Sequence, residues 1–420
     1  MLKRFSVWIG LLSLVLVFAQ GTKLQLVEVI TSPQRTQLLQ GLIKDFESQN
    51  PGINVEIISL PWEQSFERLL TMVQGGQAPD VVEMPDKWLA LYGATNQLEN
   101  LKSYLGTWQY KNDLSARATE AGSLYQGQML EIPYGFYIRG LFYNKKILAD
   151  AGVKPPTTLA EFMKVAEAVT NKSKGVYGYC LRGARGSFDN IFWFMSNQAG
   201  TPNWFTPSGK STFTDKAHVE GLSMWAQLYQ KGWAPPDSVT WGFNEIVSGF
   251  YSGTCAMLDQ DPDTLQPVQE KMSPDQFGVV PMPLGPSGKG FLKPGFAGWS
   301  MFKSSKNKEA AWKLIAYLAS PSVNLKWSKY VGTIPSIQSS EKDPYYSSPT
   351  FKAWFDELRS PKYTLSFFPF QIPELGNFLD VYSVQETQKL LLGQQTAEVT
   401  AQHLADYMEK AYAKWKASNK

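Results

Sequence analysis

Apolar positions along this chain follow two periods, and their alternation organises it. Residues 24–30 alternate apolar and polar and are rich in β-formers, which predicts a first strand. Ser32 and Pro33 follow, a capping hydroxyl and a proline suited to the first helical position. Leu38, Leu39, Leu42, Ile43 and Phe46 then share one helix face, until Asn50-Pro51-Gly52 stops the helix. Residues 55–60 read as a second strand, 62–74 as a helix closed by Gly75-Gly76, and 80–84 as a third strand. Strands alternating with helices predict an α/β fold with a parallel sheet covered on both faces.

The pattern stops near Pro133 and restarts with a strand at 141–143. Thr158 and Glu161 form a capping box for a helix whose buried face is Leu159, Phe162, Ala166 and Val169. Short strands are predicted at 177–181, 254–258 and 277–280, and Gly/Pro-rich loops at 281–295 and 332–335. Leu404, Tyr407, Met408, Ala411 and Trp415 give a last helix over 396–415. No internal repeat, low-complexity tract or charge block interrupts this, so two α/β lobes are the expected architecture.

At 420 residues the chain has room for two or three domains, and 43% hydrophobic residues against 18% charged supports folded cores. Forty Lys+Arg against 37 Asp+Glu leave a net charge of +3, too little for a nucleic-acid or anionic-lipid footprint. The 14 Trp, 19 Tyr and 24 Phe are abundant enough to serve flat, half-apolar ligands as well as cores. Two His and two Cys point away from metal or thiol chemistry.

Lys3 and Arg4 precede an apolar run from Phe5 to Phe18 that ends at Ala19, the layout of a secretory signal peptide over residues 1–19. That run is shorter than the roughly 20 residues a spanning helix needs, and no Cys stands at the cleavage region to carry a lipid. Export permits a disulfide, for which Cys180 and Cys255 are the candidates; two buried, unpaired thiols are the other reading.

Two local motifs fail on inspection. Ser208-Gly209-Lys210-Ser211-Thr212 resembles a phosphate loop, but Trp204 stands where the motif needs glycine. Asp259, Asp261, Asp263 and Glu270 copy calcium-loop spacing, but Thr264 replaces the turn glycine and Pro262 intrudes. At a strand end, the same carboxylates suit hydrogen bonds from a ligand. No acid pair singles out a glycosidase, His218 and His403 have no nucleophile motif beside them, and no G-x-S-x-G elbow occurs.

Phe46-Glu47, Asn50-Pro51-Gly52-Ile53, Val55 and Gly76-x-x-Pro79-Asp80-Val81 resemble the opening lobe of bacterial extracellular solute-binding proteins of the maltose-binding type. Ile132-Pro133-Tyr134, Leu141-Phe142-Tyr143-Asn144-Lys145, Ala151-Gly152 and Pro155-Pro156-Thr157 resemble that family's passage into the second lobe. Phe250-x-Ser252-Gly253-x-Cys255-Ala256-Met257, Gly298-Trp299 and Gly332-x-x-Pro335 follow in its order.

The resemblance implies a two-lobe periplasmic-binding-protein fold with three chain crossings and a ligand cleft between the lobes. Residues 20–133 and 298–342 would form lobe 1, and 134–297 and 343–420 lobe 2. Crossings are expected at 134–140, near 293–297 and after Pro335. The function implied is a monomeric, periplasmic sugar-binding component that closes on a carbohydrate and delivers it to the permease of an ABC importer. No cofactor, metal or catalytic residue is expected. The implied cleft residues are Trp62, Asp86, Phe136, Tyr137, Ser187, Asp189, Trp241, Asp261, Trp299, Gly332 and Glu374. A glycerol-phosphate binder of the same fold, a secreted glycoside hydrolase and an adhesive surface protein are the alternatives. Glu374, standing where the glycerol-phosphate branch carries Arg, favours neutral sugar.

Overall fold

A computed structural model describes residues 21–349 and 351–418, so the leader expected over 1–19 lies outside the described residues. Among the described residues the strands are β1 (Thr22–Glu28), β2 (Ile53–Ser59), β3 (Val81–Pro85), β4 (Ile132–Tyr137), β5 (Gly140–Asn144), β6 (Tyr177–Tyr179), β7 (Cys255–Gln260), β8 (Phe277–Val280), β9 (Gly290–Leu292), β10 (Gly295–Met301), β11 (Ile334–Pro335) and β12 (Tyr363–Leu365). They form a six-stranded sheet in the order β11-β4-β10-β3-β1-β2, a four-stranded sheet β6-β7-β5-β8, and a small pair, β12-β9. In the first sheet β1 pairs in parallel with both β2 and β3, while β10 runs antiparallel to β3 and β4.

The alternation in the first strand sends Leu24 and Leu26 into one core and Val27 and Val29 into another, so the sheet is covered on both faces. The helix Pro33–Gln49 is capped as its sequence signals, the Ser32 hydroxyl accepting from the Arg35 amide. Helix Leu159–Val169 carries the full Thr158/Glu161 capping box. Each of these helices lays its apolar stripe on a sheet, the first burying Leu39, Leu42, Ile43 and Phe46.

Strand pairing corrects the expected lobe edges. Residues 134–137 and 295–297, expected in the second lobe, are strand residues of the first sheet, where Phe136 pairs with Phe296 and Gly135 with Ala297. The first passage between sheets is therefore only Ile138-Arg139, and the second only Lys293-Pro294. The aromatic Tyr134-Gly135-Phe136-Tyr137 stretch lacked strand alternation because its partners on both sides bury it. The third passage follows β11, and helix Lys352–Arg359 packs on β8 of the second sheet.

Cys180 and Cys255 form a disulfide with Cα atoms 5.3 Å apart, closing the start of β7 against the residue after β6. No helix among the described residues is long and apolar enough to cross a membrane.

Candidate functional site

The carboxyl ends of the parallel strands in both sheets face one another, and a cavity of about 380 Å³ lies between them. Trp62 follows β2, Asp86 and Lys87 follow β3, and Tyr137 ends β4. From the second sheet come Arg139, Arg182 and Asp189, and, beyond β7, Asp261 and Asp263. Lys293 enters from the second passage. Strand ends suit a site because the backbone turns away there and frees side chains to converge.

Two cations bind the carboxylates into a network. Lys293 sits 3.2 Å from Asp86 and 3.6 Å from Asp189. Arg139 lies 3.8 Å from Asp189, 3.4 Å from Asp259 and 3.9 Å from Asp261. Asp86 also accepts from the Lys87 and Phe296 amides. Burial opposes the charge on Asp189, but Lys293, Arg139, Lys87 and Arg182 outweigh it and hold the pKa below the usual range. Asp263 has the reverse balance: burial and then the neighbouring Asp261 push it up to about 8.

Tyr137 is fixed from behind. Its hydroxyl lies 2.9 Å from that of Tyr134, which donates to Glu83 at 2.8 Å and accepts from Arg35 at 2.9 Å. Trp62 presents its ring to Lys87 Nζ and the Arg185 guanidinium, each 4.7 Å from the ring centroid.

A second cluster joins the lobes at the rim. Asp380, on a π-helical turn Phe378–Tyr382, accepts from Lys87, from Trp88 Nε1 at 2.9 Å and from Arg185 Nη2 at 3.0 Å. Arg185 also donates to the Trp62 carbonyl. Opposite, Gly332 (φ +72°) caps helix Pro321–Val331 so close to the loop after β7 that an added Cβ would lie 2.3 Å from the Pro262 carbonyl. Both contacts join the two lobes.

Of the residues singled out in the sequence, the structure brings Trp62, Asp86, Tyr137, Asp189 and Asp261 to the cavity wall. It does not bring the other six. Phe136 points to the opposite face of β4 from Tyr137 and packs on Phe296. Ser187 is buried at the start of helix Phe188–Ala199, and Trp299 is buried between Tyr134 and Trp327. Trp241 lies over Gly249 beside Cys180. Gly332 is a lobe contact. Glu374 pairs with Lys414 at 2.6 Å, away from the cavity.

Sequence reasoning offered Arg139 and Arg182, with Arg185, only as residues that would swing in to hold the anion of a glycerol phosphate, and it missed the cation Lys293 and the aromatics Phe192, Trp193, Phe243 and Phe296. The signal available for Arg139 and Lys293 was position, since each sits in a passage between sheets. Among the described residues no group of acids, His or Cys is arranged to hold a metal, so the calcium-like spacing does not form a calcium loop. Asp259 instead turns to Tyr179 and Arg139.

Two α/β lobes meeting around a cavity walled by charged and aromatic side chains define a protein built to take up a small solute between them. This chain belongs to the bacterial extracellular solute-binding protein family, whose model matches residues 32–324. A putative binding protein of Brucella abortus (strain 2308) is 25% identical over 320 residues, 75% of this chain and 76% of the relative. The mannitol-binding protein of Pseudomonas aeruginosa is 27% identical over 57% of this chain and 55% of its own length. A solute-binding protein from Thermotoga lettingae TMO bound with alpha-D-tagatose superposes with a TM-score of 0.81 at 22% identity, over 93% of this chain and all of the other.

Proposed function

We propose that this chain is the exported substrate-binding component of an ABC importer, enclosing one small neutral sugar or polyol and passing it to the membrane permease. The cavity carries the argument. Its volume of about 380 Å³ sits near the lower end of the 300–1,000 Å³ usual for small-molecule pockets, which favours a short ligand over a long oligosaccharide. Carboxylates and cations stand side by side on its wall, matching hydroxyls that both donate and accept, while aromatic rings match C–H faces. Binding works by differential affinity: ligand touching both lobes stabilises the closed state.

Relatives that bind mannitol and tagatose support the same ligand class. The signal-peptide pattern of residues 1–19 and the family's extracellular character support export to the periplasm, with the mature protein acting as a monomer and doing no chemistry. A glycerol phosphate's dianion would have to compete with Asp86, Asp189 and Asp261 for Lys293 and Arg139, which those carboxylates already hold, and that argues against it. Glu374 does not enter that argument, being outside the cavity.

A thermal-shift screen against D-mannitol, D-tagatose, maltose and sn-glycerol 3-phosphate tests the reading, because a ligand that binds only the folded state raises the melting temperature. A neutral compound is expected to give the shift. A shift from the phosphate alone, or cleavage products from maltose, overturns it.

A further inference from the structure

One cavity cation stands apart from the others. Arg35 is paired with Glu83, Lys87 with Asp380, Arg139 with three aspartates and Lys293 with two. Arg182 lines the same wall, is only 7% exposed, and its Nε has no hydrogen-bond partner. Among the described residues no carboxylate comes within ion-pair distance of its guanidinium, although every other cation on that wall has one.

The backbone is shaped to hold it there. Gly186 adopts φ +86°, and an added Cβ would lie 2.6 Å from the Arg182 guanidinium carbon and 2.7 Å from one terminal nitrogen. Glycine thus supplies both the left-handed turn and the bare surface on which the guanidinium lies. A buried charge with no contacting partner costs stability: burial and the nearby Arg139 act against the Arg182 charge and outweigh Glu63, Asp189 and Asp263, which favour it from beyond ion-pair distance. The fold keeps this cost and places no carboxylate in contact with the guanidinium, so the contacting partner belongs to the ligand.

The surrounding charge identifies what kind of partner. Asp86, Asp189 and Asp261 stand on the wall already sharing Lys293 and Arg139, and Lys87 is held by Asp380, so a ligand carboxylate would enter among carboxylates whose cations are taken. Neutral oxygens carry no such cost and still accept from a fork of N–H donors. We propose that Arg182 is the specificity-determining residue of the site, donating to two neighbouring neutral oxygens of the sugar or polyol and selecting it over the sugar acid of the same skeleton. This rests on the sugar-binding reading above and deepens it.

Arg182→Met and Arg182→Lys, each compared with the wild type, test the proposal with and without ligand. Without ligand, Arg182→Met is expected to melt at a higher temperature than the wild type, because it removes an unpaired buried charge; a structural arginine would give the opposite sign. Calorimetry with D-mannitol, D-tagatose and maltose should show at least about tenfold weaker binding in Arg182→Met, the scale of a charge-assisted hydrogen bond. Arg182→Lys keeps the charge but loses the fork, and should fold as the wild type while binding about tenfold more weakly. Wild type should prefer D-mannitol to D-mannonate. A lowered melting temperature for Arg182→Met, unchanged sugar affinity in either variant, or tighter binding of D-mannonate overturns the proposal. If the wild type binds none of the neutral compounds, the sugar reading itself falls and takes this inference with it.

Discussion

Replacing Asp380 by Asn should reveal how much one buried carboxylate holds the lobes together. Its side chain is fully buried, and it takes hydrogen bonds from Lys87 and Trp88 of the first lobe and from Arg185 of the second. Burial alone would raise its pKa, but Lys87 and Arg185 outweigh burial and bring it from 3.8 down to about 2. That difference corresponds to about 2 kcal/mol of stabilisation at neutral pH. Because the folded value is the lower one, the contribution is complete above the unfolded pKa and is lost as pH falls toward 2. About 1 kcal/mol of it is gone by pH 3.

Asp380→Asn removes the charge at every pH and leaves Lys87 and Arg185 opposed without an anion. The variant should therefore be less stable at pH 7 by about 2–4 kcal/mol, the range for breaking a buried pair. Urea unfolding of both proteins at pH 7, 5, 4 and 3 measures the gap. It should narrow by about 1 kcal/mol between pH 7 and pH 3. A gap that stays constant over that range refutes the assignment of the stabilisation to the ionised carboxylate.

Trp62→Ala should weaken sugar binding by about 1–3 kcal/mol while the fold survives, since Trp62 sits half-buried on the cavity wall; calorimetry and circular dichroism check both halves, and unchanged affinity removes Trp62 from the site. Serine at both Cys180 and Cys255, or reduction, should lower stability by about 4 kcal/mol on the chain-entropy account, because the bridge closes a sequence separation of 75; an unchanged denaturation midpoint would contradict that. Glu374→Ala should leave sugar affinity untouched and alter stability by less than about 1 kcal/mol, since its partner Lys414 is largely exposed; a loss of affinity would return Glu374 to the site.

The strands and helices that were legible are those whose burial is one-sided or whose ends carry chemical punctuation. Ser32-Pro33 and the Thr158/Glu161 box mark helix starts through local hydrogen bonds, which sequence states directly. β8 matches its predicted span for a similar reason, lying between a turn and a Pro-rich loop. Strands β9, β11 and β12 were not legible, because two- and three-residue strands owe their existence to a distant partner rather than to their own pattern.

Site residues divide along the same physical line. Asp86 and Asp261 stand just past the ends of strands that alternation and turn signals had located, so position alone carried them to the cavity. Trp241 and Trp299 were chosen for residue type, and an indole serves a core as well as a sugar: Trp299 packs 5.6 Å from Tyr134 and 5.8 Å from Trp327. The cations were kept out of the main site for a further reason. A Lys or Arg in a loop reads as solvated unless something shows it to be buried, and Arg139 is buried and Lys293 half-buried where the two lobes meet. There they are the counter-charges that let Asp86, Asp189 and Asp261 gather on one wall. The feature that makes the site workable is therefore a property of the two lobes together, and no stretch of either lobe's sequence contains it.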